Sequence, residues 1–165
     1  MPRPRGFVQP WAASEIANTV LPRYRALVLL LRFSPLGWKE AIPLRRRHCD
    51  PAGSWVEVFE LAHETLSRIK FEAARRGFGD YVVTIPGPLH EPLAEHLSSH
   101  VGTGPASLVF CDDNGKRLSR SWFEESIWTP AVEACGFRGV TIAGLRLSWG
   151  HETHAEHIGT GPGCL

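Results

Sequence analysis

The sequence predicts an α+β domain, mainly helical, with helices around a small three-stranded antiparallel sheet. Three observations predict it. Apolar residues recur at helical spacing towards both ends of the chain, at Tyr24, Leu27, Val28 and Leu31 and again at Phe123, Ile127, Trp128, Ala131 and Cys135. The middle changes to short β-rich runs bounded by turn residues. Finally, 165 residues of which 43% are hydrophobic can bury the core of one ordinary domain, and leave no room for a second.

Each element follows from local chemistry. "MPRPRGF" has no apolar period, so residues 1–10 read as an arm or the remnant of a linker. Ser14 offers the start of a first helix. Pro22 suits the first position of a second, which stops at Ser34-Pro35. "WKEAIPLRRRHCD" reads as a short helix and a basic turn. Strands are expected at Trp55–Leu61, Thr65–Phe71 and Tyr81–Pro86, the last two joined by a long connection that carries Arg75 and Arg76. "GPLHEPLAEHLSSHVG" then gives a helix with leucines four apart and Gly102 past its end. Asn114-Gly115 marks a tight turn. Ser121 with Glu124 three residues later has the spacing of a capping box, Pro130 should bend the helix that follows, and Gly136 should end it. The folded part is expected over residues 11–149, with an irregular tail over 150–165.

Net charge is only +1, but residues 1–47 hold nine Arg and Lys against Glu15 and Glu40, so the rest of the chain is net acidic. A basic half is either the footprint of a nucleic-acid binder, since neutralising phosphates releases counterions, or a set of solvated helix faces. The four cysteines, Cys49, Cys111, Cys135 and Cys164, form no C-x-x-C pair, and no apolar leader precedes them. They read as reduced thiols of a cytoplasmic protein. The run Ala26–Leu31 falls far short of the roughly 20 apolar residues of a membrane span.

"HETHAEH" places His151, His154 and His157 three apart. The metal-binding H-E-x-x-H helix instead sets two histidines four apart with a glutamate between them as base. These histidines therefore read as an exposed tail, with no metal and no cofactor expected.

Taken in order, "LPRYRALVLLLRFSPLGWKEAIPLRRRHCD", "IKFEAARRGFGDYVVTIPGPLHEPLAEHL", "SLVFCDDNGKRLSRSWFEESIWTPAVEACGF" and "VTIAGLRLSW" resemble the catalytic domain of the phage-type integrases, the tyrosine recombinases, over about residues 7–149. The resemblance implies DNA integration and recombination. In that family two arginines clamp the scissile phosphate, a hairpin lysine and a histidine assist proton transfer, and a tyrosine attacks phosphorus to give a phosphotyrosine.

The match is incomplete in its chemistry. Where the family reads T-G-L-R-x-x-E, this chain reads "SPLGWKE", so Gly37 stands at the first arginine position while Glu40 is kept. "IKFEAARRGFG" puts Arg75 at the lysine position, as a phosphate contact or as a solvated turn residue. Arginine keeps the charge but donates a proton poorly. "AGLRLS" keeps Arg146 and replaces the histidine with Ala143; Arg146 is then a remnant phosphate contact or a structural arginine near a helix start. The only tyrosines, Tyr24 and Tyr81, match no nucleophile. The resemblance thus implies a partial, shortened copy that no longer cuts DNA. The alternative is a non-catalytic module that binds double-stranded DNA through Arg45, Arg46, Arg47 and Arg76 and modulates an intact recombinase.

Overall fold

The computed structural model describes residues 6–64, 69–73 and 81–158. One central helix packs against three others, and two short ribbons come from the middle of the chain. α1 (Pro10–Thr19) starts four residues before the expected Ser14, because Pro10 fills the first helical position, where a missing N–H costs nothing. Ser14 lies inside the helix and donates to the Pro10 carbonyl at 3.1 Å. α2 (Pro22–Phe33) buries Tyr24 and every residue from Ala26 to Arg32, and packs against α1, α4 (His90–Ser99) and α7 (Ile142–Ile158). A helix buried all round needs no amphipathic stripe, and this one is the core. It ends where the Ser34 hydroxyl donates to the Leu30 carbonyl at 2.7 Å and accepts from the Leu36 N–H at 3.2 Å. The one-turn helix α3 (Trp38–Ala41) follows.

The sheet differs from the expected three strands. β1 (Trp55–Val58) pairs antiparallel with β4 (Tyr81–Thr84), and β2 (Glu60–Glu64) pairs with β3 (Ile69–Ala73), giving two two-stranded ribbons. The single strand expected over Trp55–Leu61 therefore breaks at Phe59. The β-rich composition runs on across Phe59, so it does not reveal that the first half pairs with the last segment and the second half with the middle one. Val56 and Val58 point into the core, and the Trp55 side of β1 faces outward.

α5 (Arg120–Phe123), a π-helical turn (Glu124–Trp128) and α6 (Thr129–Ala134) form one continuous helix. Its cap is Ser119, whose hydroxyl accepts from the Trp122 N–H at 3.2 Å, and not the expected Ser121. Pro130 has no N–H to give the ladder, and the widened turn Glu124–Trp128 lies just ahead of it. Gly136 ends the helix at φ +76°, a left-handed geometry that glycine adopts without steric cost.

The largest correction concerns the tail. α7 continues unbroken to Ile158, across the expected boundary at residue 150. Its inner face beyond Leu145 is polar: Ser148 is fully buried, and Glu152 reaches a buried partner. A pattern keyed to apolar residues misses such a helix. The chain before α1 is also no loose arm over its described part. The Val8 N–H donates to the Ser148 hydroxyl at 2.7 Å, so residues 6–8 strap across α7. Gly144 admits that strap, since a β-carbon there would collide with the Gly6 carbonyl oxygen.

Candidate functional site

Residues far apart in the sequence meet at the start of α7. Phe123, fully buried, lies edge-on to Tyr24 at 5.5 Å and packs against Trp38 at 5.3 Å between ring centres. This aromatic contact holds α5 beside α3. Between them and α7 opens a cleft of about 290 Å³, lined by Leu31, Gly37, Trp38, Lys39, Glu40, Arg120, Ile142, Ala143 and Arg146.

Gly37 and Arg146 adjoin one another here. A β-carbon at residue 37 would lie 3.9 Å from Arg146 Nε and 2.8 Å from Glu40 Oε2. The Gly37 N–H donates to that same carboxylate at 3.1 Å, which fixes Glu40 against the turn. Arg146 is exposed, and its guanidinium donates to the Pro35 carbonyl rather than to a carboxylate. That bond turns the arginine back towards the turn before α3. Ala143 lies one helical turn before it and lines the same cleft. Lys39, Arg120 and Arg146 thus put three cations around one opening, with Glu40 as the lining carboxylate. Arg120 also pairs with Glu124 at 3.1 Å.

The other residues singled out in the sequence have separate placements. Arg46 is committed to structure: its Nε donates to the Gly102 carbonyl at 2.6 Å and its Nη2 to the Val101 carbonyl at 3.0 Å and to the Leu97 carbonyl. Leu97 is in the last turn of α4 and Val101 and Gly102 follow it, so Arg46 ties down the C-terminal end of that helix and the chain leaving it. Arg45 donates to the Ala106 carbonyl at 2.6 Å. Arg47 is exposed and contacts His48 Nε2 at 3.4 Å. Arg75 and Arg76 lie outside the described residues. So does Cys164.

Tyr24 is buried in the core, where burial first of all raises its phenol pKa, and it does not reach the cleft. Tyr81 pairs across the ribbon with Val58 and does not line the cleft either. His151, His154 and His157 fall on α7 rather than on an irregular tail. Among the described residues no group of three His, Cys, Asp or Glu is arranged to hold a metal, and no helix is long and apolar enough to cross a membrane.

Sequence reasoning missed Arg32. This fully buried side chain donates from both terminal nitrogens to Glu152, at 2.9 and 2.7 Å, and from Nε to the Val8 carbonyl at 3.0 Å. Its guanidinium also lies 4.9 Å from the centre of the Phe33 ring and 5.6 Å from that of Phe7. One signal existed: an arginine inside the run Leu29–Phe33 must be buried with its neighbours and therefore needs a partner. His96 was missed as well. It is buried under Phe110, with Nε2 bonded to the Val109 carbonyl at 2.6 Å, and burial pushes its pKa down to about 4.

This architecture matches solved recombinases. The Tn1549 transposon integrase, solved with a circular intermediate DNA, superposes with a TM-score of 0.72 over 98% of this chain and 56% of that one, at 12% identity. The XerA recombinase gives 0.66 over 98% and 54%, at 18% identity. The XerH site-specific recombinase, bound to a palindromic difH substrate, gives 0.58 over 95% and 44%, at 14% identity. The chain thus has the fold of a tyrosine recombinase catalytic domain and spans about half the length of these proteins. No protein-family model and no curated protein sequence matches it.

Proposed function

We propose that this protein belongs to the integrase-like tyrosine recombinases as a DNA-binding member, and that its cleft holds a backbone phosphate without breaking the strand. The observation that carries this reading is the meeting of Gly37 and Arg146. The resemblance assigns both positions to the phosphate clamp, and they adjoin one another across 109 residues of sequence. Fold alone does not imply function, so the argument rests on this site. DNA-bound structures of the Tn1549 integrase and XerH support double-stranded DNA as the partner.

The same site argues against cleavage. Gly37 offers no charge to a phosphate oxygen, Ala143 no proton, and neither tyrosine of the chain lines the cleft. Groups that act as a unit in catalysis lose most of their effect when one is removed. A cytoplasmic protein that occupies recombinase sites without cutting them acts by competing with an intact recombinase. Arg47, exposed, adds to the basic surface in this reading; Arg46, spent on the chain at the end of α4, contributes to stability instead.

Fluorescence anisotropy of a labelled duplex, titrated at increasing salt, tests the binding. The expected result is affinity that falls steeply with salt, and a further loss of about tenfold for Arg146→Ala. A nicked suicide duplex tests the chemistry, with no covalent protein–DNA adduct expected. Absence of binding at low salt overturns the first half of the reading, and an adduct overturns the second.

A further inference from the structure

The cleft contains a cation that the resemblance does not assign. Lys39 lies two residues beyond Gly37 on α3, is exposed, lines the opening, and has no hydrogen bond or ion pair among the described residues. The neighbouring charges are placed differently. Arg146 is turned back to the Pro35 carbonyl, Arg120 is paired with Glu124, and Glu40 is drawn against the Gly37 N–H. Residue 37 contributes no side chain, and the Glu40 carboxylate lies beside that position, held by the Gly37 N–H.

We infer that the cleft is an oxyanion site in which Lys39 supplies the positive charge that position 37 lacks. This rests on the proposed reading for the identity of the oxyanion as a DNA phosphate, but not for the site itself. A lysine suits the task physically. Its ammonium is a compact charge on a flexible four-carbon stem, and it needs no fixed bidentate geometry. Held in a partly enclosed cleft, such a charge is worth more against an anion than on an open surface. The site that results binds an oxyanion between Lys39 and Arg146, with Arg120 at its rim. It has the charges of a clamp with the geometry of a loose one, which suits retention of a phosphate better than transition-state stabilisation.

The test uses the full chain and two probes. Inorganic phosphate is titrated while the backbone amides of Gly37 and Ala143 are followed by heteronuclear NMR, and a labelled short duplex is titrated by anisotropy. Lys39→Ala is expected to weaken both by about tenfold, the usual scale of one charged hydrogen bond. Lys116→Ala, which removes a lysine from an exposed turn far along the chain, is the charge-matched control and should change neither. In a Gly37→Arg background the Lys39→Ala loss should shrink to less than about threefold, because the restored arginine takes over the same anion.

The outcomes separate the two readings. Duplex binding that depends on Arg146 but not on Lys39 overturns the role of Lys39 and leaves the DNA reading intact. Phosphate binding that depends on Lys39, without any duplex binding, upholds the oxyanion site and overturns the DNA reading. Equal losses in Lys39→Ala and Lys116→Ala reduce the effect to net charge and overturn the inference, as does a Lys39→Ala loss that persists undiminished beside Gly37→Arg. Loss of both kinds of binding in the unmodified protein overturns both.

Discussion

Arg32 and Glu152 form a two-pronged ion pair across 120 residues, with the arginine fully buried and the carboxylate partly open to water. The pair is asymmetric, and so are its expected mutants. Glu152→Ala strands a buried guanidinium and should cost about 3 kcal/mol or more. Arg32→Met fills the same space with an apolar chain and leaves Glu152 free to hydrate, so it should cost clearly less. Urea unfolding of the two variants checks the order; a larger loss in Arg32→Met would show that the arginine's bond to Val8 matters more than its charge.

Gly144 is the point where the strap crosses α7. Gly144→Ala places a β-carbon against the Gly6 carbonyl, and that oxygen is backbone, so relief requires moving the whole strap. The expected cost is about 1–3 kcal/mol, with raised hydrogen exchange at the Val8 amide as the local signature. An unchanged Val8 amide would mean that α7 moves instead.

His96 makes stability depend on pH. Its pKa is about 4 in the folded state, against 6.5 for an ordinary histidine, so the unfolded chain binds the extra proton first as pH falls. The stabilisation from keeping His96 neutral is fully present above about pH 6.5 and is lost as pH drops towards 4, by about 3 kcal/mol in all. His96→Gln should flatten that part of the stability curve. The comparison is made by chemical unfolding at several pH values, and identical slopes for the two proteins would remove His96 as the cause.

Cys49 should be inert. Burial above all, and despite the nearby Arg46 charge, pushes its thiol up to about 12, so almost no thiolate exists at neutral pH. Timed alkylation followed by mass spectrometry should show Cys49 reacting at least tenfold more slowly than Cys135, which is only partly buried. Equal rates would indicate that the ribbon opens readily.

Arg46 and Arg47 should separate by phenotype although they are adjacent. Arg46→Ala removes the cap of α4 and should lower stability by about 1–3 kcal/mol with little effect on DNA affinity. Arg47→Ala should leave the melting temperature unchanged and reduce the salt slope of DNA binding by about one. Exchanged phenotypes would assign the capping role wrongly.

These pairs also show which parts of the structure were legible in the sequence. α2 was, because Tyr24, Leu27, Val28 and Leu31 repeat with the helical period and Ser34-Pro35 stops it. The position of the cleft was legible through Gly37 and Arg146, whose surroundings each keep a recognisable pattern. Lys39 and Arg120 were not, since a lone exposed cation carries no local signal and only the fold brings these two together. α7 beyond Leu145 was hidden for a related reason: Ser148 is buried and Glu152 half-buried through polar partners at Val8 and Arg32, and those partners lie more than a hundred residues away. The ribbons were half legible. β-rich composition identified the strands, but pairing depends on contacts that composition does not encode.

The strap has a consequence for how the chain is made. Val8 emerges from the ribosome 140 residues ahead of its partner Ser148. Arg32 likewise waits for Glu152 across 120 residues. During synthesis, therefore, α2 exists with a buried-type arginine that has no counter-charge and an apolar surface that has no cover. Such long-range closure slows folding and leaves the nascent chain exposed to association until its last helix arrives. Docking of α7 is then the step that completes the cleft.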